Sequence, residues 1–245
     1  MKEVRVKKPK VYCSMDVSSD GLLDLYNAVG RDFEGKVFAL IDKRLRNSCL
    51  VDKLAYFKGA KTTLDDNGYE KMLPVGFYGN LQGENYIKDS LTKFNSVIVI
   101  SRFERIGGVF GGGITNLSLS TASKNGVTWI KSSGFTKDED VMFHHTENTG
   151  RYAESLVEAC KSVVEFWGSA NLIYLNVICL DNRPLCAVAG VDPVAVDKAS
   201  LDIVLTNEKK VVSFTAEDGM DELRHVLDYA EKLGLGDEDY NLIEI

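Results

Sequence analysis

The chain has no hydrophobic run approaching the ~18 to 20 residues that a membrane helix needs. Its longest apolar stretches, Ser96 to Ser101 and Leu172 to Leu180, are of buried-strand length, so no bilayer-spanning segment is expected. Cysteine is scarce: Cys13, Cys49, Cys160, Cys179 and Cys186 are odd in number, widely spaced and never form Cys-x-x-Cys. Neither a disulfide framework nor a zinc ribbon is therefore expected, and a reducing cytoplasm is the compartment this usage fits. Histidine is scarcer, with 3 residues. His144 and His145 are adjacent, point in different directions on any regular element and have no cysteine or glutamate at metal-ligand spacing. No Ser-His-Asp or Cys-His arrangement can be argued from them. Positive charge is in deficit, with 29 Lys and Arg against 36 Asp and Glu and a net charge of -7, which argues against a sequence-independent grip on nucleic acid. The basic segment Met1 to Lys10 leads straight into strand-like Val11 to Ser14, without the apolar core or cleavage site of a signal peptide. Proline is rare too, 4 in 245 residues, and no repeat or low-complexity tract breaks the chain. We expect one α/β core over residues 1–245, with a boundary near 125–150 if the core is two-lobed.

What is present is an alternation of strand and helix patterns. Val11 to Asp16 reads as a strand, and Ser19 or Asp20 can cap a helix with apolar positions Leu22, Leu25, Tyr26, Val29 and Phe33. Lys36 to Ile41 is the next strand, followed by a helix around Ser48 to Phe57, a short strand at Ala60 to Leu64, a looser glycine-rich stretch from Asn67 to Gly83, and a helix from about Glu84 to Phe94. Ser96 to Ser101 is continuously apolar between its serines, as a central strand covered on both faces would be. Tyr152, Leu156, Cys160, Val163 and Trp167 mark a helix face, and Ala170 to Leu180 a long buried strand. Thr215 to Asp218 opens a late helix with the stripe Met220, Leu223, Leu227, Ala230 and Leu233, closed by Gly234. His225 lies about 200° around from Leu223, on the solvent side. The chain ends in strand-like Tyr240 to Ile245. This pattern predicts an α/β fold, a layered and mainly parallel sheet with strands alternating with helices.

Two segments can carry chemistry. Between a buried strand and a helix starting near Ile114 lie Gly107, Gly108, Gly111, Gly112 and Gly113. Such a loop lets backbone amides approach a ligand, and a helix start adds unpaired N–H groups and partial positive charge, suited to phosphate, carboxylate or an inorganic cluster. Neither a Walker motif nor Gly-x-Gly-x-x-Gly is formed; tight helix-on-strand packing explains the glycines equally well. Asn116 can be a ligand donor or part of first-turn hydrogen bonding. In the second segment, Asp192 before Pro193 is an N-cap and N1 pairing that starts a helix. Asp197 shares a helical face with Val194, Leu201 and Val204; a carboxylate in that setting must pair, bind a cation or take up a proton. Lys198 and Asp202 can pair across one turn. Cys179 and Cys186 flank a turn containing Asp181, Asn182, Arg183 and Pro184, which leaves open a shared ligand site or simply one buried and one loop cysteine.

Together these segments resemble a bacterial and archaeal family of unknown function, DUF family 362, many of whose members are labelled ferredoxin-like or iron–sulfur cluster-binding proteins. Ser101-x-Phe103, the glycines 107–113, Asn116-Leu117 and Ala122-Ser123-Lys124 are similar to its central motif, and Asp192-Pro-Val-Ala-Val-Asp-Lys-Ala199 to its most specific one. Tyr174-Leu-Asn176, Ala230 to Gly236 and Tyr240 resemble flanking and final elements of the family. Members commonly carry two histidines and a lysine in the central motif where this chain has Arg102, Ile106 and Thr115, and many insert a cysteine-rich ferredoxin module where it has Lys137 to Arg151. The resemblance thus implies the family core without an iron–sulfur cluster. The cofactor is left unknown.

The first functional expectation is a small anionic ligand or metal complex held by Gly107, Gly108, Gly111, Gly112, Gly113, Asn116, Asp192 and Asp197. It requires the glycine turn and Asp197 to converge on one place. Further readings are a scaffold or accessory subunit with a degenerate site, and a redox accessory protein sharing a cluster with a partner through Cys179 and Cys186. The expected partner is an unknown small molecule or protein, with no nucleic acid and no membrane.

Overall fold

The computed structural model describes residues 7–45, 59–77, 79–106, 109–143, 149–180, 183–208 and 220–245. Its main sheet is built on β5 (Ser96–Ile106) and β7 (Leu172–Leu180), whose apolar runs supply a covering residue on each face. β2 (Val37–Ile41) pairs parallel with β5, and β5 parallel with β7. β8 (Arg183–Gly190) returns antiparallel to β7 and also pairs antiparallel with β1 (Lys10–Ser14), which holds β9 (Asn241–Glu244) parallel at the edge. The order is therefore β2-β5-β7-β8-β1-β9, in which β8 alone among these strands runs against the rest. This is an α/β layered fold with a mostly parallel sheet.

Alternation along each strand divides the core. Ile98, Ile100, Ile173, Leu175, Val177, Ala187 and Ala189 face α1 (Ser19–Val29) and its Leu22, Leu25 and Tyr26. Val97, Val99, Phe103, Tyr174, Ile178 and Val188 face the opposite layer. That layer holds α2 (Gly113–Thr121), α5 (Thr149–Trp167), α6 (Pro193–Glu208) and α7 (Met220–Lys232). Ser18, one residue before the expected cap, accepts from the Gly21 amide at 3.2 Å to start α1, and Gly30 ends it at φ 68°. No helix among the described residues is long and apolar enough to cross a membrane.

Several local expectations give way to tertiary pairing. Glu84–Lys88 is strand β4 rather than helix, paired antiparallel with β3 (Glu70–Pro74) inside the stretch expected to be loose. Residues Asp89–Lys93 form a single 3-10 turn. Asn85 explains the outcome: it is buried and donates to Ser162 Oγ at 2.9 Å, a partner far along the chain that no helical period encodes. Ala60 to Leu64 forms no strand but one bridge, Lys61 to Phe38. Arg183 and Pro184, expected in a turn after Cys179, open β8, a strand that the sequence pattern does not announce, while Asp181 and Asn182 lie outside the described residues. Helices α3 (Lys124–Lys131) and α4 (Glu139–Phe143) are further elements the pattern did not reveal. The helix around Ser48 to Phe57 and the Thr215 to Asp218 start lie outside the described residues, apart from α7 itself.

Gly126 on α3 sits against β4 with no room to spare. A Cβ there would lie 2.0 Å from the Tyr86 carbonyl oxygen, so Gly126→Ala is expected to lower stability by about 2 kcal/mol in urea unfolding, through forced separation of α3 from the hairpin.

Candidate functional site

Asp192 performs the expected capping. Its Oδ1 accepts from the Ala195 amide at 2.9 Å, and its Oδ2 reaches the Asp237 amide at 3.1 Å, so the start of α6 is tied to the turn before β9. Gly236 is needed there because a Cβ would fall 2.0 Å from Asp192 Oδ1. Burial is the main influence on the Asp192 carboxyl and raises its pKa, with the Asp237 charge adding to it and the cap amides opposing it.

One turn further on, the buried Asp197 meets the glycine turn directly. Its Oδ1 accepts from the Gly113 amide at 2.7 Å and from Asn176 Nδ2 at 2.7 Å, while Oδ2 accepts from the Ile114 amide at 3.0 Å. The N-cap of α2 is Gly112, which has no side chain to offer. Asp197 supplies the missing cap from another helix, so the negative charge at this helix start is carried by the chain itself. Burial pushes the carboxyl up to about 6, against the lowering effect of Asn176 and the two amides. Close approach explains both glycines: a Cβ on Gly112 would be 2.6 Å from Asp197 Oδ1, and one on Gly113 2.9 Å from Tyr174 Cδ1.

The remaining sequence candidates divide. Gly111 closes β6 (Val109–Gly111), which folds back antiparallel on the end of β5. Gly107 and Gly108 lie outside the described residues, as do His144 and His145. Asn116 Nδ2 donates to the Ile100 carbonyl and Ser101 Oγ, each at 3.1 Å, and its Oδ1 accepts from Ser120 Oγ at 2.7 Å. It fastens α2 to β5 with donor and acceptor both engaged. The structure thus brings Gly112, Gly113 and Asp197 together, places Asn116 on the same helix, and puts Asp192 at the other end of the first turns of α6.

Asp192 opens onto a cavity of about 570 Å³ at the amino end of β7 and β1, walled also by Lys7, Arg31, Lys161, Glu165, Tyr174 and Asp237. Tyr174 is only 1% exposed, and its hydroxyl has no hydrogen-bond partner among the described residues. Burial first, then the nearby Cys160, Asp197 and Asp192, raise its pKa, so the group is a neutral donor awaiting an acceptor. Its signal was present in the sequence: Tyr174 and Asn176 are alternate residues, hence on one face, of an otherwise apolar strand.

Lys161 and Glu165 also border a second cavity, about 220 Å³, beside Glu158 and Tyr229. Glu158 is buried and accepts from the Asn80 and Leu81 amides, each at 2.9 Å, and from the Tyr229 hydroxyl at 3.0 Å. His225 is not simply solvated: it meets Glu154 Oε1 at 3.1 Å and stacks on Tyr229. Lys198 and Asp202 do pair, at 2.6 Å, with Tyr240 donating to the same carboxylate.

Cys179 faces the α1 side of the sheet and Cys186 the other, so the two thiols cannot ligate one group together. Burial holds the Cys160 thiol far above its usual pKa, as a neutral packing group. Among the described residues no cluster of three or more His, Cys, Asp or Glu side chains could hold a metal ion. Compared with known proteins, the chain matches no family model and no curated protein.

Proposed function

We propose that this is a small-molecule-binding α/β protein whose ligand occupies the cavity at Asp192 and Tyr174. The observation that carries this is the Tyr174 hydroxyl, buried without a partner among the described residues in the wall of a cavity of about 570 Å³, a size typical of ligand sites. An unmet buried donor costs about 1 to 3 kcal/mol, a cost that a ligand acceptor would remove. The anionic-ligand reading of the glycine turn is modified accordingly. Gly112, Gly113 and Asp197 serve as the frame that packs against Tyr174, while Asp192 and Tyr174 meet the ligand. The resemblance of the segment from Asp192 to Ala199 to its family counterpart fits a role for this helix start.

The test pairs a fragment screen by ligand-detected NMR with Tyr174→Phe. The variant is expected to be about 1 kcal/mol more stable without ligand, because a buried unpaired hydroxyl is gone. It should bind cavity fragments about fivefold more weakly, the worth of one hydrogen bond. A screen without cavity binders, or binders indifferent to Tyr174→Phe, would sink the proposal.

A second reading, an accessory subunit with a protein partner, has its own support. Tyr69, Met72 and Phe77 expose large apolar side chains at 71%, 49% and 84% within nine residues of the β3 region. Pull-down that fails on a Met72→Lys, Phe77→Asp variant would favour it.

A further inference from the structure

The cavity wall is charged but balanced. Lys7, Arg31 and Lys161 contribute cations, and Glu165, Asp192 and Asp237 contribute carboxylates. Asp192 and Asp237 are neighbours, joined where the Asp237 amide donates to Asp192 Oδ2 at 3.1 Å. Arg31 is fastened to the Ser169 carbonyl at 3.1 Å, and Lys161 to the Leu233 carbonyl at 2.8 Å and Glu165 at 3.2 Å.

None of these fastenings exhausts the groups. A guanidinium spending one N–H on Ser169 keeps others, and Lys161 retains a third donor. Asp192 accepts one amide on each oxygen and Asp237 accepts from the Asp239 amide at 2.8 Å, which leaves lone pairs on both carboxylates. The Tyr174 hydroxyl adds a donor with no partner among the described residues. An anion without a cationic end would face Asp192 and Asp237 in a partly desolvated space. A bare cation would face Arg31 and Lys161, and an apolar ligand would strip water from six charged groups for nothing in return.

We infer that the cavity takes a small zwitterion of the α-amino acid class, its ammonium group met by the adjacent Asp192 and Asp237, its carboxylate by a cation of the wall, Arg31 or Lys161, with Tyr174 donating to a ligand oxygen. This rests on the reading of the cavity as a ligand site and names the chemistry that the site selects. The charged termini supply selectivity, since a ligand missing either one leaves wall groups of the opposite sign without a counter-charge.

The experiment is ligand-detected NMR on the full chain with a mixture of the common L-amino acids, alongside isoamylamine and isocaproate, the leucine skeleton without its carboxylate or its ammonium group. At least one amino acid is expected to bind, about tenfold more tightly than the amine and acid probes. Asp237→Asn, which keeps the oxygen that caps the Asp239 amide, should weaken the amino acid about tenfold and leave isocaproate no weaker. The inference is overturned if the amine or the acid binds as well as any amino acid. It is also overturned if no amino acid binds while the fragments of the preceding screen do, in which case the cavity remains a ligand site of another chemistry. If neither amino acids nor fragments bind, both readings fall.

Discussion

Replacing Asp197 by Ala is expected to lower the stability of the fold by about 3 kcal/mol. Three donors lose their acceptor at once: the Gly113 and Ile114 amides and Asn176 Nδ2. The first two are the opening amides of α2, whose N-cap Gly112 cannot compensate. Asp197→Asn should cost less, because one amide oxygen still accepts while its NH₂ faces a donor. Urea unfolding of both variants measures the difference. Equal stability of wild type and Asp197→Ala would show that the carboxylate does not hold the helix start.

The same carboxyl makes stability depend on pH in an uncommon direction. Its folded pKa of about 6 is raised above the ordinary value of 3.8, chiefly by burial. Between those values the folded state holds a proton that the unfolded state has released, so the contribution of this group falls as pH rises from about 4 to about 6 and is flat above. In Asp197→Asn the titration is absent. The stability advantage of wild type over this variant should therefore shrink across that window, and an advantage that grows with pH would refute the assignment.

Glu158→Ala is expected to cost a similar amount, about 3 kcal/mol, through a different part of the fold. Glu158 on α5 holds the Asn80 and Leu81 amides and the Tyr229 hydroxyl on α7. The turn carrying those amides fits tightly over it, since a Cβ on Gly79 would lie 2.5 Å from its carboxylate. Loss of the side chain frees that turn and loosens α7. Hydrogen exchange should show faster exchange of the Asn80 and Leu81 amides in Glu158→Ala, with Glu158→Gln in between. Unchanged protection at both amides would count against the contact.

How legible these groups were depends on how local their signals are. The start of α6 was readable because Asp192 and Pro193 are adjacent, and a cap with an N1 proline needs nothing beyond the next turn. The strand at Ser96, the long strand ending at Leu180 and the stripe of α5 were equally readable, being runs or periods within one element. The strand at Glu84 was not, because Asn85 is buried by Ser162 and paired with β3, both distant in sequence. Asp197 stood out as a carboxylate on an apolar face, yet its partners are residues 84 and 83 positions away at Gly113 and Ile114. The glycine turn marks a helix start suited to negative charge, and the Asp197 side chain brings that charge from within the chain.

The sequence by itself determined the alternation of elements, the α/β class, the capped start of α6 and the presence of an isolated carboxylate that had to find partners. Periodicity, capping and burial preference act over one or two turns and survive in the linear order of residues. Tertiary structure alone decided that Asp197 closes the start of α2, that Asn116 is fully engaged, and that the Tyr174 hydroxyl near Asp192 is left without a partner among the described residues. Whether a buried polar group is satisfied is an account kept across the whole fold. It closes only when elements far apart in the chain have packed against one another.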